Sequence, residues 1–287
     1  MNINRAKQLK ITAPDKNPAY GGDQGWFSSN TRAQGGCSSI AGANALRALF
    51  RTNPSLRYHI RENRKMPHEV KDAILSPNPD KDSFEELMTG IYNTMGAMIL
   101  FPLNLIYDRV GRDNGFFKRV RPNQGQTNTG FIIGIIRFAR KYGIYLAVKS
   151  LPTAFLSKEK AVSFIKEGLR SSGAVVLLTS YNKHNVRLYS ANSDLEKRFD
   201  YCCGWDAAVK CHFTTITDMD EDRLLITTWG RPAVIDFNEL AGSWQSVKAF
   251  ESSLMYISLS DKAESNRCLF SAWRVFFSCI FHTLRRK

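Results

Sequence analysis

The chain has 287 residues, a hydrophobic fraction of 43% and a formal net charge of +14, so it is globular and soluble by composition and long enough for one large domain or two small ones. A surplus of positive charge attracts anionic partners without specificity. The basic residues are scattered, with tight clusters only at Lys118-Arg119-Val120-Arg121 and Arg285-Arg286-Lys287, and no specific nucleic-acid partner is expected. Six cysteines, two of them adjacent (Cys202 and Cys203), are too few for a disulfide framework at this length and fit reduced thiols. Polar and charged residues follow Met1 with no apolar h-region, which predicts a cytoplasmic location.

Residues 1–20 are polar, carry Pro14 and Pro18, and read as an extended arm. A glycine-rich loop with two aromatic anchors follows at 21–27, then a helix over 37–50. On that helix Ala41, Ala45, Ala48 and Leu49 share an apolar face, while Asn44, Arg47 and Arg51 mark the polar side. The segment 52–81 reads as a connector. A helix capped by Asp82 or Ser83 carries Leu87, Met88, Ile91, Tyr92 and Met95 at helical spacing, and the apolar run at 97–101 extends it until Pro102. That stretch is too short to span a membrane and reads as helical core.

Turn residues and basic residues fill 114–128, where Thr127 or Asn128 can cap a helix over 130–142 that stops at Gly143. A short apolar run predicts a strand at 144–148, amphipathic spacing a helix at 159–171, and a continuous apolar run a buried strand at 174–178. No sustained period marks 182–210, read as a long excursion with an edge strand at 186–189. Strands at 212–217, 224–228, 233–237 and 254–259, with a brief helix opening at 238, complete a helices-then-strands order that predicts an α+β architecture.

Chemistry enters at Gly35-Gly36-Cys37-Ser38-Ser39. Two glycines turn the backbone sharply into a helix start and keep side chains away, so an approaching group meets the Cys37 sulfur and free backbone N–H groups. The helix N-terminus carries partial positive charge, which favours the thiolate, the form that acts as nucleophile. A cysteine nucleophile needs an imidazole as base, and His212 opens a strand that could run beside this helix. Cys202, Cys203, Cys211 and His212 show no paired CxxC spacing, so a metal site is the weaker reading and no cofactor is expected.

Three segments resemble the papain-like cysteine peptidases, most closely the bacterial branch related to the double-glycine-leader (bacteriocin-processing) peptidases. They are Asp23-Gln24-Gly25-Trp26-Phe27, the stretch from Gly35 to Asn44, and His212-Phe213-Thr214-Thr215-Ile216-Thr217 leading to Thr228-Trp229-Gly230. Their order along the chain is the family's, and together they frame most of residues 20–260. The resemblance implies a papain-like domain over 21–260, in which an N-terminal helical part with the nucleophile helix packs against a C-terminal antiparallel sheet. It implies Cys37 as nucleophile, His212 as base and Gln24 as side-chain donor to the oxyanion, with Gly36 and Trp229 lining the substrate site. Asn30 and Gln34 are alternatives to Gln24. The family's histidine-orienting Asn or Asp falls on Thr227 or Thr228, so a Cys–His dyad is the expectation here.

The implied activity is hydrolysis of a peptide or amide bond in a peptide or protein substrate, with acyl transfer sharing the first half-reaction. The competing class is a catalytically silent papain-like module that binds a peptide or protein. Beyond it, residues 261–287 form an aromatic and basic tail that ends in Arg285-Arg286-Lys287. It reads as a helix packed on the domain or another chain, or as an interfacial helix on an anionic membrane.

Overall fold

Strand alternation along Ala174-Val175-Val176-Leu177-Leu178 shows how the chain is layered. Val176 and Leu178 join one hydrophobic cluster, and Val175 and Leu177 join another on the opposite side of the same sheet. A strand buried on both faces needs apolar residues at every position, which is why this run reads as continuous rather than alternating. The computed structural model describes residues 9–13, 18–28, 33, 35–95, 98–100, 105–107, 128–154, 156–171, 173–179, 186–191, 208–209, 212–244 and 252–272.

Seven strands form the main sheet: β5 (Leu146–Pro152), β6 (Ala174–Thr179), β8 (Tyr189–Ser190), β10 (His212–Asp220), β11 (Arg223–Thr228), β12 (Arg231–Asp236) and β13 (Ser253–Leu259). Their spatial order is β5-β13-β6-β10-β11-β12-β8, and each neighbouring pair is antiparallel. Three two-stranded ribbons accompany it: β1 (Lys10–Thr12) with β2 (Pro18–Tyr20), β3 (Met98–Leu100) with β4 (Leu105–Tyr107), and β7 (Val186–Arg187) with β9 (Ala208–Val209).

Helices cover both faces of the main sheet. Helix α1 (Cys37–Thr52), α4 (Lys81–Thr94) and α5 (Asn128–Lys141) supply the cluster on the side of Val176, Phe213 and Met255. Helix α6 (Lys158–Arg170) and α7 (Phe237–Ser243) supply the other, with Ile216, Leu224 and Ile226. The architecture is α+β.

Several expectations need correction. Residues 52–81 are not a plain connector: α2 (Pro54–Glu62) opens on the Asn53 side chain, which accepts from Leu56 N–H, and α3 (His68–Leu75) follows. The helical run does not continue into 98–100, because β3 pairs there with β4. The β-branched and apolar residues that looked like a helix extension serve equally well in a ribbon. Asp80, not Asp82 or Ser83, caps α4, accepting from Ser83 N–H at 2.8 Å.

Within the expected arm, β1 and β2 pair with each other and Leu9 and Ile11 are fully buried, so these residues belong to the fold. At the other end, the helical residues 262–272 lie against α5: the Ser265 hydroxyl accepts from the Arg140 guanidinium at 2.8 and 3.2 Å, and Ala272 is buried. The expectations for 114–127, for most of 182–210 and for the tail after 272 lie outside the described residues. Among the described residues no helix is long and apolar enough to cross a membrane.

The largest departure concerns α1. Small residues let neighbours approach it on every side, so Asn44 and Arg47, expected on a polar face, are both fully buried. A buried guanidinium must place its donors. Arg47 donates to the carbonyls of Ala73, Ser76 (2.9 Å), Pro77 (3.2 Å) and Lys10 (3.3 Å), tying α1 to the end of α3 and to β1. Burial is the main cause that lowers its pKa to about 9, with Arg51 adding to the shift and Asp72 opposing it, so it remains charged at neutral pH. Replacing Arg47 with Leu strips these carbonyls of a charged donor. Urea unfolding should show a loss of at least about 3 kcal/mol, and a loss below about 1 kcal/mol would contradict the role assigned to it.

Candidate active site

His212 is the first residue of β10 and is buried. Its backbone is clasped by Thr179 at the end of β6: His212 N–H donates to Thr179 Oγ1 at 3.3 Å, and that hydroxyl donates to the His212 carbonyl at 3.2 Å. The imidazole Nε2 lies 2.7 Å from Thr228 Oγ1, and its face stacks on the Trp229 ring at 4.6 Å between centroids. Burial pushes the pKa of His212 down to about 4, so the ring is neutral at pH 7. In the neutral tautomer with hydrogen on Nε2, that N–H donates to Thr228 and Nδ1 is the basic nitrogen.

The two-residue connection from β11 to β12 places Trp229 and Gly230 at φ +47° and +69°. Both central residues of such a turn need the left-handed region, which matches the twist of the flanking strands. Glycine adopts it freely. For Trp229 it costs about 1 kcal/mol, a strain offset by the contacts that hold the turn. Tyr20 N–H donates to Gly230 O at 2.7 Å, and Gly230 N–H donates to Gly22 O at 3.0 Å. The loop opening Gly21-Gly22-Asp23-Gln24 is thus bonded to the turn beside His212.

Asn44, in the middle of α1, completes the connection. Its Oδ1 accepts from Gly22 N–H at 3.1 Å, and its Nδ2 donates to Thr227 Oγ1 at 3.4 Å. Strand alternation separates the two threonines weighed for the orienting role. Thr227 faces α1 and takes the Asn44 amide, while Thr228 faces the other way and meets His212. Of the two, Thr228 is the one that bonds the ring.

Gln24 opens a short 3-10 turn, Gln24–Trp26, capped by Asp23, whose carboxylate accepts from Gly25 N–H at 2.8 Å. The Asp23 pKa is raised, with burial outweighing the bond from Gly25 and the charge of Arg231. The Gln24 Oε1 is buried with no hydrogen-bond partner among the described residues. Trp26 and Phe27 anchor the loop against Phe84 and Tyr92 of α4. Asn30 and Gln34, the alternatives to Gln24, lie outside the described residues.

Cys37 is the first residue of α1 and is buried, and Gly36 is the N-cap. The Gly36 carbonyl accepts from Ile40 N–H and from the Ser39 hydroxyl at 2.8 Å, closing the first turn. Four residues on, the Ala41 carbonyl accepts from Thr215 Oγ1 of β10 at 3.2 Å. Cys37 stands seven residues before Asn44, about 10 Å along the helix axis, and two turns of a helix return it to roughly the same side.

The structure therefore brings His212, Thr228, Trp229, Thr227, Asn44 and the Gln24 loop into one connected cluster, with Cys37 on the helix that anchors it. It does not join Cys37 directly to the base. Among the described residues the His212 ring bonds Thr228 and makes no hydrogen bond to Cys37. Phe213 and Thr215, which face α5 and α1, lie on the opposite side of β10 from His212.

Asn44 is the participant that the amphipathic reading missed. Its seven-residue spacing from Cys37 was the available signal, and the expected polar face concealed it. Among the described residues no cluster of three or more His, Cys, Asp or Glu could hold a metal, and Cys202, Cys203 and Cys211 lie outside those residues. No family model, curated protein or solved structure matches the chain.

The depressed His212 pKa carries a stability consequence with a definite sign. An unfolded chain's histidine protonates near 6.5, and the folded one only near 4. Between those values the unfolded state binds more protons, so stability falls as pH drops from 6.5 towards 4 and changes no further below it for this group. The loss is on the order of 3 kcal/mol. Denaturant unfolding of His212→Gln should therefore show a weaker decline of stability over this window than the unchanged chain, and parallel declines would mean that His212 is not held neutral by the fold.

Proposed function

We propose that this chain is a thiol hydrolase of papain-like fold, a cysteine peptidase-like enzyme acting on a peptide or amide bond through a Cys37–His212 dyad. His212 Nδ1 takes the Cys37 proton, and the thiolate attacks the substrate carbonyl. The imidazolium returns that proton to the departing amine, leaving an acyl-enzyme for water to hydrolyse. The Cys37 backbone N–H and the Gln24 side chain are the donors for the oxyanion. The observation that supports the reading most is the support given to the imidazole: a buried neutral ring held through Nε2 by Thr228 and covered by Trp229. A hydroxyl in this position holds the ring through either tautomer, since it can accept from or donate to Nε2, and it adds no negative charge to stabilise an imidazolium, as a carboxylate would.

The partner on this reading is a peptide or protein, and acyl transfer to an amine would share the first half-reaction. The aromatic and basic residues of the tail are the sequence feature behind an anionic membrane surface as a second partner, and a cytoplasmic or membrane-associated location accompanies that proposal.

One observation favours the second reading, a papain-like module that binds a peptide or protein without turning it over. The His212 ring is engaged with Thr228 and not with Cys37. Alkylation of Cys37 by iodoacetamide across pH separates the two. The enzyme reading expects an apparent thiol pKa at least about one unit below the ordinary 8.5, returning to that value in His212→Ala. An ordinary thiol profile unchanged by His212→Ala would establish the binding module.

A further inference from the structure

Resting on that reading of the site, we infer that Asn44 is a positioning residue: its amide sets the Gln24 loop and the end of β11 in one fixed relation, and thereby holds His212 in the orientation the dyad requires. Three observations converge on it. The side chain is completely buried in the middle of a helix, where a polar amide is costly unless both ends are satisfied. Its two ends go to two different parts of the site, Oδ1 to Gly22 N–H and Nδ2 to Thr227 Oγ1. Gly21, at φ +83°, lies so close that a Cβ there would come within 2.6 Å of Asn44 Nδ2, so the loop can reach the amide only with glycine at that position.

The relation of these bonds to the turn gives the amide its leverage. Gly22 supplies its N–H to Asn44 and its carbonyl to Gly230 N–H, so a single peptide-linked residue touches both the helix and the turn. Thr227 accepts from Asn44, and Thr228, the next residue, meets His212 Nε2. A closed circuit results, running from Asn44 through Gly22 and Gly230 to Trp229 and back through Thr228 and Thr227. The imidazole is stacked on one member and bonded to another, so its position and tilt are set by the circuit. Because α1 also carries Cys37, a shift of the helix moves nucleophile and base support together rather than apart. A helix position chosen only for packing would suit Ala or Leu, as its neighbours Ala43, Ala45 and Leu46 do.

Nitrogen-resolved NMR of the His212 ring tests this, with Thr227→Val, Thr227→Ser and Asn44→Ala compared in the full chain. Thr227→Val removes the acceptor for Asn44 with little change of shape, and Thr227→Ser keeps the hydroxyl. Asn44→Ala and Thr227→Val should broaden or redistribute the Nδ1 and Nε2 signals and raise the His212 titration point by about one unit towards its ordinary value, while Thr227→Ser retains the original behaviour. Should either of the first two variants fold with an unchanged His212 titration and tautomer, and merely melt earlier, Asn44 is a structural residue and the inference is overturned. If Asn44→Ala does not fold, Thr227→Val against Thr227→Ser decides by the same readout. The iodoacetamide comparison with His212→Ala reports separately on the dyad, so failure of the proposed chemistry and failure of the positioning role are distinguished.

Discussion

A helix buried on every side has to settle its polar side chains inside the protein, and this constraint on α1 organises the rest of the chain. Arg47 and Asn44 lie one turn apart within it, and neither reaches water. Arg47 turns to the backbone carbonyls around Ala73, Ser76, Pro77 and Lys10, and Asn44 to the loop and strand beside the candidate base. Two buried polar groups thus bind the α2–α3 region, the N-terminal ribbon and the sheet to one helix. Among the bonds that hold them are ones to backbone carbonyls and N–H groups and to one hydroxyl.

The same helix begins at Cys37, and its placement limits how the site can operate. A neutral imidazole on a hydroxyl support can accept a proton, but burial disfavours the imidazolium that results. A thiolate alongside would offset that penalty through its charge, whereas Thr228 cannot. On the proposed reading, the thiolate and the imidazolium would have to stabilise each other. The turn strain at Trp229 fits that demand: a bulky residue in the left-handed region persists only where surrounding bonds enforce it, and here they come from Tyr20 and Gly22.

Much of the framework was legible from residue patterns. The β-strands from 212 onwards, the continuous apolar run of β6 and helices α4, α5 and α6 follow from periods that act locally. The failures were of two kinds. Where short helices α2 and α3 were read as a connector, Asn53 with Pro54 and the charged run after it looked like loop chemistry, because a cap and a turn use the same residues. Where Asn44 and Arg47 read as a polar side, the periodicity holds but the environment differs, since a helix covered by the sheet, by α2 to α5 and by the N-terminal ribbon leaves that side no access to water.

By itself the sequence determined an α+β chain with a glycine-flanked cysteine at a helix start, a histidine at a strand start and a Trp-Gly turn after two threonines. These are local properties, governed by spacing and backbone preference. Only the tertiary structure decided which threonine meets the histidine, because the choice depends on the face of β11 that looks towards α1. It likewise decided that Asn44 is interior and that the Gln24 loop is bonded to the Trp229-Gly230 turn, since both are contacts between segments far apart in the chain, 183 residues in the case of Asn44 and Thr227. Packing brings such residues together through the burial of others, and no local pattern in the chain encodes the result.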